Sequence, residues 1–328
     1  MSVPLIDPRS FRSFCFRGEG RANFVISAKC EKSGLRIAWR LAKQRKSGCV
    51  STKPKCRVVC AYLEKLIVPF LGRQFLVKPE IVEIDVLSLH HLAKVSKIPS
   101  LQFNLKIETF DELCDISKYP STMSFLPLTI PKEVRSVCVL QMLDATRIPK
   151  CLSPQFFGPT ITVEIKPKQG FMQNHPGVEV PYCNNCILQL EKCYSNAFEQ
   201  MYDFCPLDLF SGDLDRMRKA LKSLFAVPHR NLRIFLDGTV IHSDEIPLAG
   251  EQLRETLFHD GSISLCCIMV GAPSDDLFAM HSSSVLAKLL TGQRIDTIGI
   301  VRAYQIYRSL PEAVQVDFTH THTHTLRA

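Results

Sequence analysis

Residues 163–171 read VEIKPKQGF, with Glu164, Lys166 and Lys168 at every second position. In an extended chain successive side chains point to opposite faces, so Val163 and Ile165 can enter a core while Glu164, Lys166 and Lys168 share the other face. Pro167 has no backbone donor, which suits a sheet edge or a strand end. Gly170 closes the run. A strand that turns two ammonium groups to one side raises the question of which anion they meet.

Ahead of this stretch the chain is β-rich. FCFRGEGRANFVISAK, residues 14–29, reads as strand, glycine turn, strand, and LRIAWRLAK, residues 35–43, as a further apolar and basic strand before the loop KQRKSG. Val59, Leu63, Leu66, Ile67 and Phe70 fall at helical spacing and predict a packed helix that ends near Gly72. EVRSVCVLQML, residues 133–143, reads as a buried strand that leads into Asp144, Ala145 and Thr146.

Beyond it a polar, cysteine-rich stretch runs to PLDLFSG, residues 206–212. Leu214, Met217, Leu221 and Leu224 then recur at helical intervals, with Arg216, Arg218, Lys219 and Lys222 on the wetter faces, until Pro228. In NLRIFLDGTVIH, residues 231–242, Asp237-Gly238 between two β-rich runs predicts a hairpin. Leu232, Ile234 and Leu236 alternate inward, which puts Asn231 and Arg233 on the opposite face. Residues 285–308 read as two helices around Gly292. THTHTHTLRA at the end has no apolar period and cannot pack.

The 328 residues are 46% hydrophobic and 22% charged, a globular composition with room for one large or two ordinary domains. Forty Lys and Arg against 32 Asp and Glu leave a net charge of +8. That excess is compatible with nucleic acid, an acidic membrane surface or a polyanionic small molecule. The basic stretches KQRKSG and KPKQG carry no interleaved aromatics for base stacking, which ranks nucleic acid last. Apolar runs such as ISLCCIMV are far shorter than the roughly 18 residues of a membrane span, and the first residues have no continuous apolar signal. A soluble protein of the cytoplasm or nucleus is the expectation, and its 14 cysteines then read as reduced thiols. Cys183, Cys186 and Cys193 with His175 nearby could ligate a metal, yet no second regular pair completes a zinc pattern, so no metal ligand is assigned. His320, His322 and His324 read as part of a low-complexity tail.

Gly18-Glu19-Gly20-Arg21-Ala22-Asn23 sits between two predicted strands, where small residues let backbone amides approach a phosphate. A tight hairpin turn explains the same residues. A strand follows and the third glycine of a dinucleotide fingerprint is absent, so a Rossmann unit is disfavoured and a β-hairpin lid over nucleotide phosphates fits better. Arg40, Lys43 and Arg45, then Lys166 and Lys168, then Arg233 with Asn231, supply cations from separate segments. Guanidinium and ammonium groups bind phosphates through charge-assisted hydrogen bonds.

With GEGRAN, RLAKQRK, VEIKPKQGF, PLDLFSG and RNLRIF in that order, residues 16–308 resemble the inositol-pentakisphosphate 2-kinases. The family's run is VEIKPKCGF, and only Gln169 differs. The resemblance implies an α/β fold of the α+β type: a two-lobed inositol phosphate kinase fold with a glycine loop in its N-lobe and an incomplete C-lobe. Residues 1–143 would form the ATP-binding lobe, 144–318 the inositol phosphate-binding lobe, and 319–328 a disordered tail. It further implies ATP and Mg2+ as cofactors and transfer of the γ-phosphoryl group to the 2-hydroxyl of inositol pentakisphosphate, giving the hexakisphosphate, in a monomer without membrane or nucleic-acid partner.

Residue by residue, Gly18, Glu19, Gly20 and Asn23 match the loop over ATP, Arg40 the strand position facing the nucleotide, and Asp144 the interlobe hinge. Arg45, Lys166, Lys168, Asn231 and Arg233 match inositol phosphate contacts, with Lys166 also the catalytic candidate beside the transferred group. Two departures stand out. Where the family has an arginine and a lysine in a run like RYCMHQHLK, this chain reads PYCNNCILQ, with Pro181 and Gln189 in those places. The family's catalytic and magnesium-binding aspartates lie beyond its counterpart of residues 285–308, where this chain reads THTHTHT. A C-terminally truncated, inactive binder of inositol phosphate or ATP is therefore the alternative expectation. Asp208, Asp213 and Asp237 do not replace the missing acids, because the first two match structural positions and the third belongs to its hairpin.

Overall fold

The computed structural model describes residues 3–19, 23–42, 53–85, 108–109, 111–112, 136–148, 158–172, 182–199, 201–248, 255, 262–270, 280–295, 305 and 308–309. The chain divides into two compact units, residues 1–166 with 224–261 and residues 167–223 with 262–328. The fold is mixed α/β.

Strands β1 (Leu5–Ile6), β2 (Phe11–Glu19), β3 (Asn23–Cys30), β4 (Arg36–Ala42), β5 (Glu80–Asp85) and β6 (Ser136–Leu143) form one six-stranded sheet in the order β1-β5-β6-β4-β3-β2. Only the β1 and β5 pair is parallel. The strands expected over residues 14–43 are present: Ile37, Trp39 and Leu41 of β4 enter one buried cluster with Phe11, Phe14, Ile26, Val82 and Ile84. Trp39 anchors it, edge-on to Phe11 at 4.7 Å and donating from Nε1 to Gln141 Oε1 at 3.0 Å. β6 feeds both faces, with Val137 and Val139 in this cluster and Cys138 and Leu140 against Cys56 on the other side. A strand covered on both faces reads as the continuous apolar run seen in the sequence.

β2 is an edge strand, and its pairing with β3 shifts register between Arg12 and Cys15 and again between Phe16 and Gly18. Ser13 takes a positive φ of 53° inside the first shift and donates its backbone N–H to Glu108 O.

The helix that follows β4 runs as α1 (Lys53–Tyr62), a π turn (Leu63–Ile67) and α2 (Val68–Leu71), and Gly72 with φ 90° terminates it. The widened turn lies just ahead of Pro69, which has no N–H and crowds the carbonyl four residues back. The expected packed helix is packed only at its start, where Cys56, Val59 and Cys60 meet β5 and β6. Tyr62, Leu66 and Phe70 are exposed.

A second sheet has the order β7-β8-β9, with β7 (Ile161–Ile165), β8 (Leu232–Leu236) and β9 (Thr239–His242) all antiparallel. Asp237 (φ 46°) and Gly238 (φ 79°) make the β8–β9 turn, the two left-handed residues that a tight hairpin demands. β7 ends at Ile165, two residues before Pro167, so the predicted shared face is corrected: Glu164 belongs to the strand, while Lys166 and Lys168 follow it. A proline disfavours further laddering, and Lys168 lies at φ 61°, outside extended conformation.

In the second unit, α3 (Asn184–Tyr194) and α4 (Pro206–Leu209) precede α5 (Leu214–Ala226), whose final residues belong to the first unit. Met217, Leu221 and Leu224 are buried as the spacing predicts, joined by Ala220. α6 (Ser262–Val270) and α7 (Val285–Arg294) complete the described elements. Gly292 lies within α7, not between two helices; its α-carbon faces open space, so no break is required there. Among the described residues no helix is long and apolar enough to cross a membrane.

Candidate functional site

β2 carries Arg17 inward. Its side chain is 8% exposed and forms an ion pair with the 3%-exposed Asp144, from Nη2 to Oδ2 at 2.8 Å. Arg17 Nε also donates to Ser27 Oγ at 2.9 Å, and Nη1 donates to Gly238 O in the β8–β9 turn. Asp144 Oδ1 accepts from the backbone and hydroxyl of Thr146 at 3.0 and 2.7 Å. Burial pushes the Asp144 carboxyl up, but the Arg17 charge and the Thr146 hydrogen bonds outweigh it and hold the group below its ordinary value. Asp144, expected at a hinge facing ATP, thus has both carboxylate oxygens engaged inside the protein, and its N–H donates to Arg36 O.

Arg233 sits next to Arg17. Its Nη1 donates to Arg17 O at 2.7 Å, and its Nη2 donates to both Glu164 oxygens at 2.8 and 2.6 Å. The two guanidinium groups lie over the Phe235 ring at 5.9 and 5.7 Å. Gly18 is pressed against Arg233: a β-carbon there would stand 3.3 Å from Nη1. So Gly18, expected in the nucleotide loop, and Arg233, expected on the substrate, are brought together. Arg147 adds another cation, donating from Nη2 to Asp237 O, and burial followed by repulsion from Arg36 and Arg17 lowers its pKa. Sequence reasoning did not single out Arg17 or Arg147.

Lys166 is exposed, and its backbone N–H donates to Asn231 O at 2.8 Å, the last rung beyond β7 and β8. Asn231 itself is 4% exposed. Arg40 lies in β4 opposite Val25 and Leu140, and Asn23 begins β3. Glu19 ends β2. Gly20, Arg21, Lys43, Arg45, His175 and Pro181 lie outside the described residues.

Around Lys168 the second unit is tightly held. Gln293 of α7 accepts from Gly170 N–H through Oε1 at 2.8 Å and donates from Nε2 to Lys168 O at 2.7 Å. Gly170 is buried against Phe210 of PLDLFSG, where a β-carbon would approach the ring to 2.3 Å. Two of the sequence motifs therefore meet by direct contact. Gln169 receives Asn184 Nδ2 at 3.0 Å. Gln189 is 3% exposed and bonds Phe204 O and Tyr202 N–H, which makes it part of the core.

The carboxylates among the motifs have partners as well. Asp208 pairs with Arg216 at 2.8 Å, Asp213 accepts from Arg216 N–H at 2.9 Å, and Asp237 accepts from Thr160 N–H at 2.9 Å. A family model described as inositol-pentakisphosphate 2-kinase matches residues 16–327, and the chain belongs to that family. Relatives carrying that same name include one of Danio rerio, 27% identical over 73% of this chain and 46% of its own length. One of Arabidopsis thaliana is 31% identical over 47% of this chain and 37% of its own, and one of Drosophila melanogaster 32% identical over 26% and 19%. The chain spans less than half the length of each of these relatives.

Proposed function

We propose that the chain takes ATP, as its Mg2+ complex, and inositol 1,3,4,5,6-pentakisphosphate, and moves the γ-phosphoryl group to the 2-hydroxyl to give inositol hexakisphosphate. The observation that carries this reading is the family match across residues 16–327. In this reading residues 1–143 serve ATP, through Gly18, Glu19, Gly20, Asn23, Arg40 and the Asp144 segment. Residues 144–318, with Arg45, serve the inositol phosphate through Lys166, Lys168, Asn231 and Arg233.

Each substrate phosphate monoester carries about −1.5 to −2 charges, so cations must offset a crowded anionic ring. The substrate oxygen attacks the γ-phosphorus as the bond to the β,γ-bridging oxygen breaks, and ADP leaves with that electron pair. Lys166, at the strand end fixed by Asn231 O, supplies charge where the equatorial oxygens pass through the transition state. Glu164 fixes Arg233 by a two-oxygen ion pair and so sets the orientation of its guanidinium group. Glu164, Asp144, Asp208, Asp213 and Asp237 each already hold an internal partner, so these acids do not fit a Mg2+ site. That engagement favours a second reading, a non-catalytic inositol phosphate binder.

Calorimetry with inositol hexakisphosphate beside a phosphorylation assay with the pentakisphosphate and ATP separates the two. Binding with turnover supports the kinase, binding without turnover supports the second reading, and failure of both removes each. Lys166→Ala is expected to abolish turnover and weaken hexakisphosphate binding by about 1.5–3 kcal/mol, the range for a charge-assisted hydrogen bond. Arg233→Ala should raise KM more than it lowers kcat; a change confined to ATP affinity would contradict its assignment.

A further inference from the structure

The turn from Lys168 to Gly170 holds an expected inositol phosphate contact in an unfavourable backbone conformation. Lys168 has φ 61°, in the left-handed region where a β-carbon crowds the backbone, and the residue is exposed. One glutamine spans the turn. Gln293 donates from Nε2 to Lys168 O at 2.7 Å and accepts from Gly170 N–H through Oε1 at 2.8 Å, so a single planar amide satisfies an acceptor and a donor two residues apart. The contact comes from a fixed element. α7 begins at the N-cap Ser284, whose Oγ accepts from Ala287 N–H at 3.2 Å, and it buries Leu286 and Leu290. Positions 286, 290 and 293 share one helix face, so the residues that seat α7 also carry Gln293 to the turn. An apolar residue would complete that stripe; a glutamine with both ends of its amide engaged serves the backbone it meets. Phe210 closes on Gly170 as well, and Gln169 Oε1 accepts from Asn184 Nδ2 of α3 at 3.0 Å.

We propose that Gln293 is a positioning residue for the inositol phosphate and acts through Lys168, a proposal that rests on the reading of Lys168 as a substrate contact. The carbonyl of Lys168 and the N–H of Gly170 belong to the two peptide planes that follow the lysine, and Gln293 fixes both. The direction in which the lysine side chain leaves the backbone is thereby set. A lysine is a point charge on a flexible stem, so what it gives to a polyanion depends on where that stem starts. With the turn already ordered, an arriving phosphate has only the side chain left to immobilise. Without Gln293 the turn can relax Lys168 toward negative φ, and the stem then starts in another direction. The effect is on the inositol phosphate and not on the nucleotide.

The test is calorimetry of inositol hexakisphosphate with the whole 328-residue chain, with Gln293→Met, with Lys168→Ala and with the double variant, each checked for folding by thermal unfolding. Methionine keeps the length of the side chain and removes both hydrogen bonds. Lys168→Ala should weaken binding at least about tenfold, as loss of a charge-assisted hydrogen bond does, and Gln293→Met about tenfold through the released turn. The double variant should bind within about twofold of Lys168→Ala, because a residue that acts only through the lysine then has nothing left to position. ATP affinity should be unchanged in Gln293→Met. Unchanged hexakisphosphate binding in Gln293→Met overturns the proposal and leaves the substrate reading standing. So does a deficit from Gln293→Met that persists in full beside Lys168→Ala, which describes general loosening of the second unit. No binding by the unaltered chain, or unchanged binding in Lys168→Ala, overturns the substrate reading itself and the proposal with it. Should Gln293→Met fail to fold, Gln293→Glu takes its place: it keeps the acceptor for Gly170 N–H, sets a carboxylate against Lys168 O, and should show the same loss and the same non-additivity.

Discussion

Asp144→Ala is expected to cost about 3–5 kcal/mol, the range for breaking one partner out of a buried ion pair. Arg17 and Asp144 are almost wholly enclosed, and removal of the acid leaves a guanidinium with Ser27 Oγ and Gly238 O as neutral hydrogen-bond partners and the Phe235 ring beneath it. Urea unfolding midpoints measure the loss, and a change below about 1 kcal/mol would mean that water compensates Arg17. The pH dependence has a definite sign. Because the folded carboxyl is held below its ordinary value, its contribution is complete above the unfolded carboxyl's pKa of about 3.9 and is lost as pH falls through the lower folded value. The stability gap between the unaltered chain and Asp144→Asn should therefore close in acid and stay constant at neutral pH. Loss of nucleotide affinity without loss of stability in Asp144→Asn would give the carboxylate a ligand role instead.

Gly170→Ala is expected to destabilise by at least the 1–3 kcal/mol usual for an overpacked core, about 1–2 °C in Tm per kcal/mol for a chain of this size. The added carbon would collide with two carbons of the Phe210 ring at 2.3 Å and with its β-carbon at 2.9 Å. An aromatic ring cannot swing aside as the end of a flexible side chain can. Phe210→Ala alone should also destabilise, because it opens a cavity. The double variant should then lose less than the sum of the two, since the clash disappears with the ring. Strict additivity by thermal unfolding would show that Gly170 does not depend on Phe210.

What could be read in the sequence follows from which interactions repeat locally. β3, β4 and β6 alternate or run apolar without interruption, and Asp237-Gly238 names its own turn, so these elements were legible. Arg17 was not, because the register shifts in β2 break the period that would assign it a face. β7 stopped before the lysines because the ladder partner Asn231 ends where β8 begins, a fact about a segment more than sixty residues away. Gln293 and Phe210 entered through contacts between distant positions, for which spacing along the chain holds no signal. Gly292 misled because glycine can break a helix but need not.

The irregular pairing of β2 also bears on self-association. A foreign strand zips onto a sheet margin only where donors and acceptors alternate without interruption over several residues. Two dislocations within nine residues, with Ser13 N–H already given to Glu108, leave no such template along that border. Fibril growth by strand addition on this side is disfavoured by the backbone itself, whatever side chains the margin carries.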